Sequence, residues 1–387
     1  MTKKLYENDG HRREFEATVS DVRPYKDSFG VILDETAFFP EGGGQAADEG
    51  TLAGINVCDV RNVEGEILHI MEAPLEKGSR VKGVIDYEKR FDRMQQHSGE
   101  HIVSGLVHQT FGYNNVGFHL SDETVTLDFD GPLSKDDLRD IEARANKAVW
   151  ANTEVEIFYP TAEALKDIDY RSKKVISGQV RLVRFPGSDL CACCAPHVTR
   201  TGEIGLIKFV DAINYKGGIR LSIRCGKRAL EDYRQKDVSV KALSHMLSVK
   251  EDNVTEAVQK VMAEREALKA SLENIKKRRI REEAKKYQET EGLVVLFYDA
   301  LSSEEMRLMV NAVKEGKAAG CALFKGTPGD YTFNISLKAG DARVYAAALR
   351  EQFGAKGGGK PEMVQGKTSG TKEDLTDLME RIYKEHR

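Results

Sequence analysis

Arg93-Met-Gln-Gln-His97-Ser-Gly-Glu-His101-Ile-Val-Ser-Gly-Leu-Val107 reads as one helix carrying two imidazoles on the same side, and the rest of the chain is organised around it. His97 and His101 stand one helical turn apart, so their rings can converge on one metal ion. A bare His-x3-His pair also occurs on helix surfaces with no metal at all. A second cluster, Cys191-Ala-Cys193-Cys194-Ala-Pro-His197, shifts the balance by offering thiolates and a third imidazole within one short loop. Each cluster is too small to hold zinc alone, and together they make one site. Cys193 is the preferred thiolate, because Cys193-x3-His197 mirrors His97-x3-His101, although spacing alone leaves Cys191 and Cys194 open. Four protein ligands are the mark of a structural site, whereas catalysis needs a position open to water or substrate. Either His197 binds loosely or the metal orders the substrate.

The chain has 387 residues, enough for two or three cores, with 40% hydrophobic and 31% charged residues. No apolar run reaches the length of a membrane span, and Met1-Thr-Lys-Lys-Leu5 leads into no signal-like segment. A cytoplasmic protein with no membrane partner is expected. Six cysteines, three of them within Cys191–Cys194, fit reduced thiols or metal ligands better than a disulfide framework. The net charge of −4 leaves any nucleic-acid contact to local basic patches.

The fold class expected is multidomain α+β. Residues 1–86 alternate apolar and polar in short runs (Phe15, Ala17, Val19; Ile55, Val57; Val81, Ile85) broken by turns such as Glu41-Gly42-Gly43-Gly44-Gln45, which predicts a small β-barrel. The triple glycine fits a mobile hairpin tip or a place where a ligand meets bare backbone. Residues 87–235 read as an α+β core containing both metal clusters. Residues 236–290 form a helical arm, within a helical stretch running without Pro or Gly from about Leu230 to Thr290. Leu247, Val254, Val258, Val261, Leu268, Leu272 and Ile275 give it a heptad seam, interrupted at Arg265, that packs within the chain or across a homodimer. The run Lys276–Lys286 is a solvated helix face or a phosphate contact. Residues 291–387 read as a compact α/β module with Lys356-Gly-Gly-Gly-Lys360 in its second half, and it offers another surface for a homodimer.

His97-Ser-Gly-Glu100-His101 also matches the inverted zinc-peptidase motif, with Glu100 as general base. That reading needs a further glutamate ligand and leaves the cysteine loop unexplained. A zinc-stabilised RNA-binding protein without catalysis is a further alternative.

The ordered set Thr36-Ala-Phe-Phe-Pro-Glu-Gly-Gly-Gly-Gln45, His97-x3-His101, Cys193-x3-His197-Val-x2-Thr-Gly-Glu-Ile-Gly205, Gly218-x-Arg220 and Lys356-Gly-Gly-Gly-Lys-Pro361 resembles alanyl-tRNA synthetase in its editing and C-terminal regions. The resemblance is greatest to free-standing alanyl-tRNA editing proteins of the long type, which end in a DHHA1 domain. It implies a trans-editing hydrolase, since no aminoacylation domain precedes the barrel. The substrate implied is tRNA(Ala) mischarged with serine or glycine. His97, His101, Cys193 and His197 become the zinc set. Thr36 and Gln45 become catalytic-site residues, with Thr36 sensing the serine hydroxyl. Gly42, Gly43 and Gly44 would lie near the aminoacylated 3′ end, and Lys356 and Lys360 would bind tRNA. Pro196 stands where the family has a threonine, and it has neither hydroxyl nor N–H to offer.

Overall fold

The protein is described here by a computed structural model covering residues 2–121, 124–172 and 178–386. These form two compact units, 1–242 and 243–387.

In the first unit, β1 (Lys3–Lys4) pairs in parallel with β4 (Glu35–Thr36) beside a six-stranded closed barrel. The barrel strands are β2 (Glu14–Tyr25), β3 (Ser28–Leu33), β5 (Gly50–Leu52), β6 (Ile55–Val63), β7 (Glu66–Met71) and β8 (Arg80–Ile85), in the order β2-β3-β7-β6-β5-β8. Alternation buries Phe15, Ala17 and Val19 of β2 against Val57, Val60, Met71 and Val81, and closure leaves no strand edge exposed.

The histidine stretch lies in α1 (Tyr87–Phe111), started by Asp86, whose carboxylate accepts from Lys89 N, and stopped by Gly112 in the left-handed region. This helix is buried on several sides, so its polar residues must find partners inside. Arg90 is fully buried. Its Nε donates to Asp48 Oδ1 (2.8 Å), its Nη1 to Gly10 O (3.0 Å), and its Nη2 to Ala37 O (2.6 Å) and to Asp48 Oδ2. Arg93 Nη1 donates to Ala47 O (2.5 Å). A buried ion pair with this many partners adds little net stability but fixes geometry, because breaking it strands a charge. Here it holds the 37–49 segment, glycine loop included, against the histidine helix.

Around α1 lie β9 (Asn115–Leu120), β10 (Val125–Phe129), α2 (Lys135–Trp150), β11 (Glu156–Phe158), β12 (Leu182–Phe185), β13 (Asp189–Ala192), β14 (Ile207–Tyr215) and β15 (Gly218–Cys225). Two sheets result, β14-β15-β10-β9 and β11-β12-β13. Ser134 and Asp137 close a reciprocal capping box on α2. Gly105 is required in α1 because a Cβ there would stand 2.1 Å from Ser188 O. That close approach brings Asp189 to the helix.

The helical stretch expected to run unbroken from about Leu230 to Thr290 is two helices, α3 (Gly226–Leu247) and α4 (Val254–Ala284). Ser248 adopts φ +53, and Val249 N bonds back to Ser244 O (3.1 Å), so the chain turns without Gly or Pro.

In the second unit a five-stranded sheet has the order β16-β17-β18-β20-β19. Its strands are β16 (Leu293–Tyr298), β17 (Gly320–Thr327), β18 (Asp330–Leu337), β19 (Lys356–Lys360) and β20 (Met363–Thr368). The end of α4 and α5 (Ser303–Lys314) cover one face, through Ile280, Met309, Val310 and Leu323. On the other face α6 (Arg343–Phe353) and α7 (Lys372–Glu385) enclose Phe324, Phe333, Leu349 and Leu378. Val258, Val261, Leu268, Leu272 and Ile275 of α4 are exposed in this chain. Five cations of the basic run pair with nearby acids: Lys276–Glu273, Lys277–Glu304, Arg279–Glu305, Lys285–Glu282 and Lys286–Glu283. That is what a solvated face looks like.

Candidate metal centre

His97, His101, Cys193 and His197 come together with their donor atoms all within 4.8 Å of one another. The rings of His97 and His101 lie nearly parallel, centroids 5.3 Å apart, as successive turns of α1 require. The ring of His197 stands across both, 4.8 Å from each. Cys193 Sγ is 3.3 Å from His197 Nε2 and 3.7 Å from His97 Nε2.

Each imidazole is oriented from behind. His97 Nδ1 meets Gln45 Oε1 at 2.8 Å, His101 Nδ1 meets Asp189 Oδ2 at 2.8 Å, and His197 Nδ1 lies 3.3 Å from Ser98 Oγ. With Nδ1–H donating outward, each Nε2 lone pair is left facing the centre, the arrangement that metal-binding histidines adopt. His101 Nε2 is buried with no hydrogen-bond partner among the described residues. Asp189 is itself gripped by Arg171, Nε to Oδ1 at 2.7 Å and Nη2 to Oδ2 at 2.8 Å. Burial opposes the Asp189 charge, but His101 and Arg171 outweigh it and hold the carboxyl below its usual range. Burial likewise opposes a thiolate at Cys193, yet the imidazoles of His97 and His197 bring that thiol well below its ordinary range. Burial pushes His197 down to about 3, against the opposing pull of Cys193. Burial opposes a charge on His101, but Glu100 and Asp189 outweigh it and hold the ring well above its ordinary range, a charge that a metal would supply in the proton's place. One cysteine and three histidines converging on a point are a donor set suited to a metal, and the buried, unpartnered Nε2 of His101 is the group that most needs one.

Cys191 is buried beside His101 and Asp189, while Cys194 is exposed. Gln45 meets the cluster as the group orienting His97, and its Nε2 is buried without a partner among the described residues. Gly42, Gly43 and Gly44 line a cleft of about 610 Å³ together with Gln45, Arg61 and His119. Gly44 at φ +86 sits so close to β9 that a Cβ would lie 2.6 Å from Phe118 O, and its own carbonyl accepts from Leu120 N. The loop is therefore docked on β9 rather than a free hairpin tip. Thr36 is fully buried, and its hydroxyl bonds are to barrel groups, His69 Nε2 (2.8 Å) and Phe38 N (3.1 Å), rather than to the cluster. Lys356 and Lys360 belong to the second unit.

Sequence reasoning missed Ser98, Asp189, Arg171 and His69. Ser98 sits inside the histidine stretch and Asp189 two residues before Cys191, so both were in view. Arg171 and His69 carry no local signal, since their roles come from pairings across the fold.

Comparison with known proteins adds an independent line. The sequence pattern of the family described as tRNA synthetases class II (A) matches residues 10–89, and that of the threonyl and alanyl tRNA synthetase second additional domain matches residues 180–224. An alanine–tRNA ligase of Methanoregula boonei is 34% identical over 99% of this chain and 43% of its own length. One of Methanoculleus marisnigri is 32% identical over 94% of this chain and 41% of its own length. The chain thus spans less than half the length of these ligases. The alanyl-tRNA editing protein AlaX-L of Pyrococcus horikoshii is 27% identical over 100% of this chain and 99% of its own length.

Proposed function

The chain belongs to the family of alanyl-tRNA synthetases and alanyl-tRNA editing proteins, and from that premise we propose that it is a zinc-containing deacylase of tRNA(Ala) mischarged with serine or glycine. The observation that carries the reading is the cluster of His97, His101, Cys193 and His197, with Gln45 joining it to the glycine-lined cleft. Those four side chains would hold zinc, which would supply a Lewis acid for an oxygen of the substrate. Gln45 Oε1 fixes His97, and the amide's Nε2 remains a donor for an oxygen of the aminoacyl ester or its ribose. The bare backbone of Gly42–Gly44 lets the 3′ end approach. Similarity to the editing protein along its whole length supports action on tRNA charged elsewhere. The inverted peptidase motif is disfavoured, because Cys193 and His197 supply the further donors. In addition, Glu100 Oε1 accepts from Ser104 Oγ (2.8 Å) and Asn115 Nδ2 (2.7 Å). Incubation with seryl-, glycyl- and alanyl-tRNA(Ala) tests the proposal: loss of the first or second ester with the third spared is expected, and stability of all three overturns it.

Serine differs from alanine by one hydroxyl, which a pocket built for alanine rejects only modestly, so a second site that binds the hydroxyl is useful. Thr36 can serve only as an acceptor there. His69 Nδ1–H donates to Val31 O (2.9 Å), so His69 Nε2 accepts the hydrogen bond that the Thr36 hydroxyl donates. Burial lowers His69 to about 4, so this tautomer persists at neutral pH. Thr36→Val is expected to slow seryl-tRNA hydrolysis by roughly 5- to 150-fold with little change for glycyl-tRNA. It also leaves His69 Nε2 unpaired, at a stability cost of about 1–3 kcal/mol. Equal losses on both substrates would assign Thr36 to the barrel alone.

Asp189→Asn tests the outer support of the centre. An amide there can present its NH2 to His101 and disturb the tautomer, so zinc affinity is expected to fall by about 10- to 100-fold while the fold persists. Competition with a chelator measures it; unchanged affinity refutes the orienting role.

A further inference from the structure

The loop that carries two of the four donors has little of its own to hold it. Cys193–His197 lies past the end of β13, outside any strand or helix. Among the described residues no N–H of residues 194–197 forms a hydrogen bond, and Pro196 has none to offer. Yet Cys193 Sγ and His197 Nε2 stand 3.3 Å apart and face the two imidazoles of α1, which a slack loop would not maintain.

The support comes from one side chain. Arg181, immediately before β12, is 6% exposed. Its Nη1 donates to Cys193 O (2.6 Å) and to Ala195 O (3.1 Å). Its Nε and Nη2 both donate to Glu7 O, at 3.2 and 3.0 Å, across 174 residues of chain. Its own carbonyl accepts from Cys193 N (3.2 Å). One guanidinium thus joins the metal loop to the short helical turn Leu5–Glu7. Beside it Tyr6, Phe39 and Ala195 form a closed apolar cluster against which Cys193 packs, the Tyr6 ring edge-on to Phe39 at 5.4 Å. A guanidinium buried against carbonyl dipoles costs stability that an apolar side chain would not. What it adds is geometry, because a planar fork holds several oxygens at set angles and a compact ammonium does not.

We propose that Arg181 is the positioning residue of the metal loop: its fork sets the backbone at Cys193 and Ala195, and through it the direction of the Cys193 sulfur. This rests on the metal reading given above and adds to it a residue that is not itself a ligand. Drawing two carbonyls two residues apart onto one nitrogen curls the loop, and the curl does the work that hydrogen bonds within the loop do elsewhere.

Cobalt(II) is the probe, because a thiolate bound to cobalt gives a charge-transfer absorption that reads the placement of the sulfur. The full chain, Arg181→Met, Arg181→Lys and Arg184→Ala are loaded with cobalt and then competed with a chelator. Arg181→Met is expected to lower metal affinity by about 10- to 100-fold, as loss of an outer partner does. It should also weaken and shift the charge-transfer band at saturating cobalt. Arg181→Lys, which restores the charge without the fork, should recover only part of both. Arg184→Ala, three residues on and paired with Glu156 at the surface, should match the unaltered chain. A lowered melting temperature with unchanged affinity and an unchanged band at saturation makes Arg181 purely structural and overturns the inference. A lysine variant indistinguishable from the unaltered chain overturns it too, and that variant decides alone if Arg181→Met does not fold. An unaltered chain that takes up neither cobalt nor zinc overturns the metal reading itself, and this inference with it. Affinity and spectrum are read without tRNA, so the deacylase reading fails separately.

Discussion

Cys193→Ala is expected to remove metal and deacylation together. The zinc content should fall from about one per chain toward zero after dialysis against a weak chelator. The rate on seryl-tRNA(Ala) should fall further than the roughly 10- to 100-fold that loss of an outer partner costs. The chain should remain folded, because the helix, barrel and sheets around the site have their own cores. Cys194→Ala is the control: the thiol is exposed, so both metal and rate should stay near wild type. Metal analysis beside a single-turnover assay reads the outcome. Full activity in a zinc-free sample would sink the assignment, and activity lost with zinc retained would make Cys193 a participant of another kind.

Ending the chain at Ala242, the boundary of the first unit, is expected to leave the metal cluster intact and to weaken tRNA binding severely. For every phosphate that the shorter chain no longer neutralises, the slope of log affinity against log salt should become shallower by about 0.7–0.9. Five cations of the Lys276–Lys286 run are already engaged with acids, so the lysines of β19 and β20 are the stronger source of that slope. Filter binding at several salt concentrations compares the two chains. Equal affinities and slopes would remove the second unit from tRNA binding. The exposed seam of Val258, Val261, Leu268, Leu272 and Ile275 would then stand as a surface for a second copy, which the solution mass of the full chain reports.

What the sequence disclosed was local. The histidine pair was legible because four-residue spacing on a helix fixes which side a ring faces. Each of the capping boxes Ser134/Asp137 and Thr371/Asp374 is contained in four residues, the scale at which a sequence can be read directly. The break between α3 and α4 was not legible, since Ser248 takes a left-handed conformation without the glycine that normally marks one. The stretch Lys356-Gly-Gly-Gly-Lys360 became the edge strand β19 although glycines have no side chains to alternate; pairing with β20 defined it. Asp189 at His101 and Gln45 at His97 were hidden for the same reason, since they join segments far apart in the chain. The expectation for Thr36 left out His69, 33 residues away, which accepts its hydroxyl's hydrogen bond.

Those long separations set a clock. His97 meets Gln45 across 52 residues, His101 meets Asp189 across 88, and Cys193 meets His97 across 96. During synthesis at about 5–20 residues per second, the histidine helix waits roughly 5–20 s for the cysteine loop to emerge. Throughout that interval the site has only His97 and His101 of its four donors, a pair that holds a metal ion only weakly. The centre can close only after residue 197 has left the ribosome, so any ion it carries is acquired late in the making of the first unit.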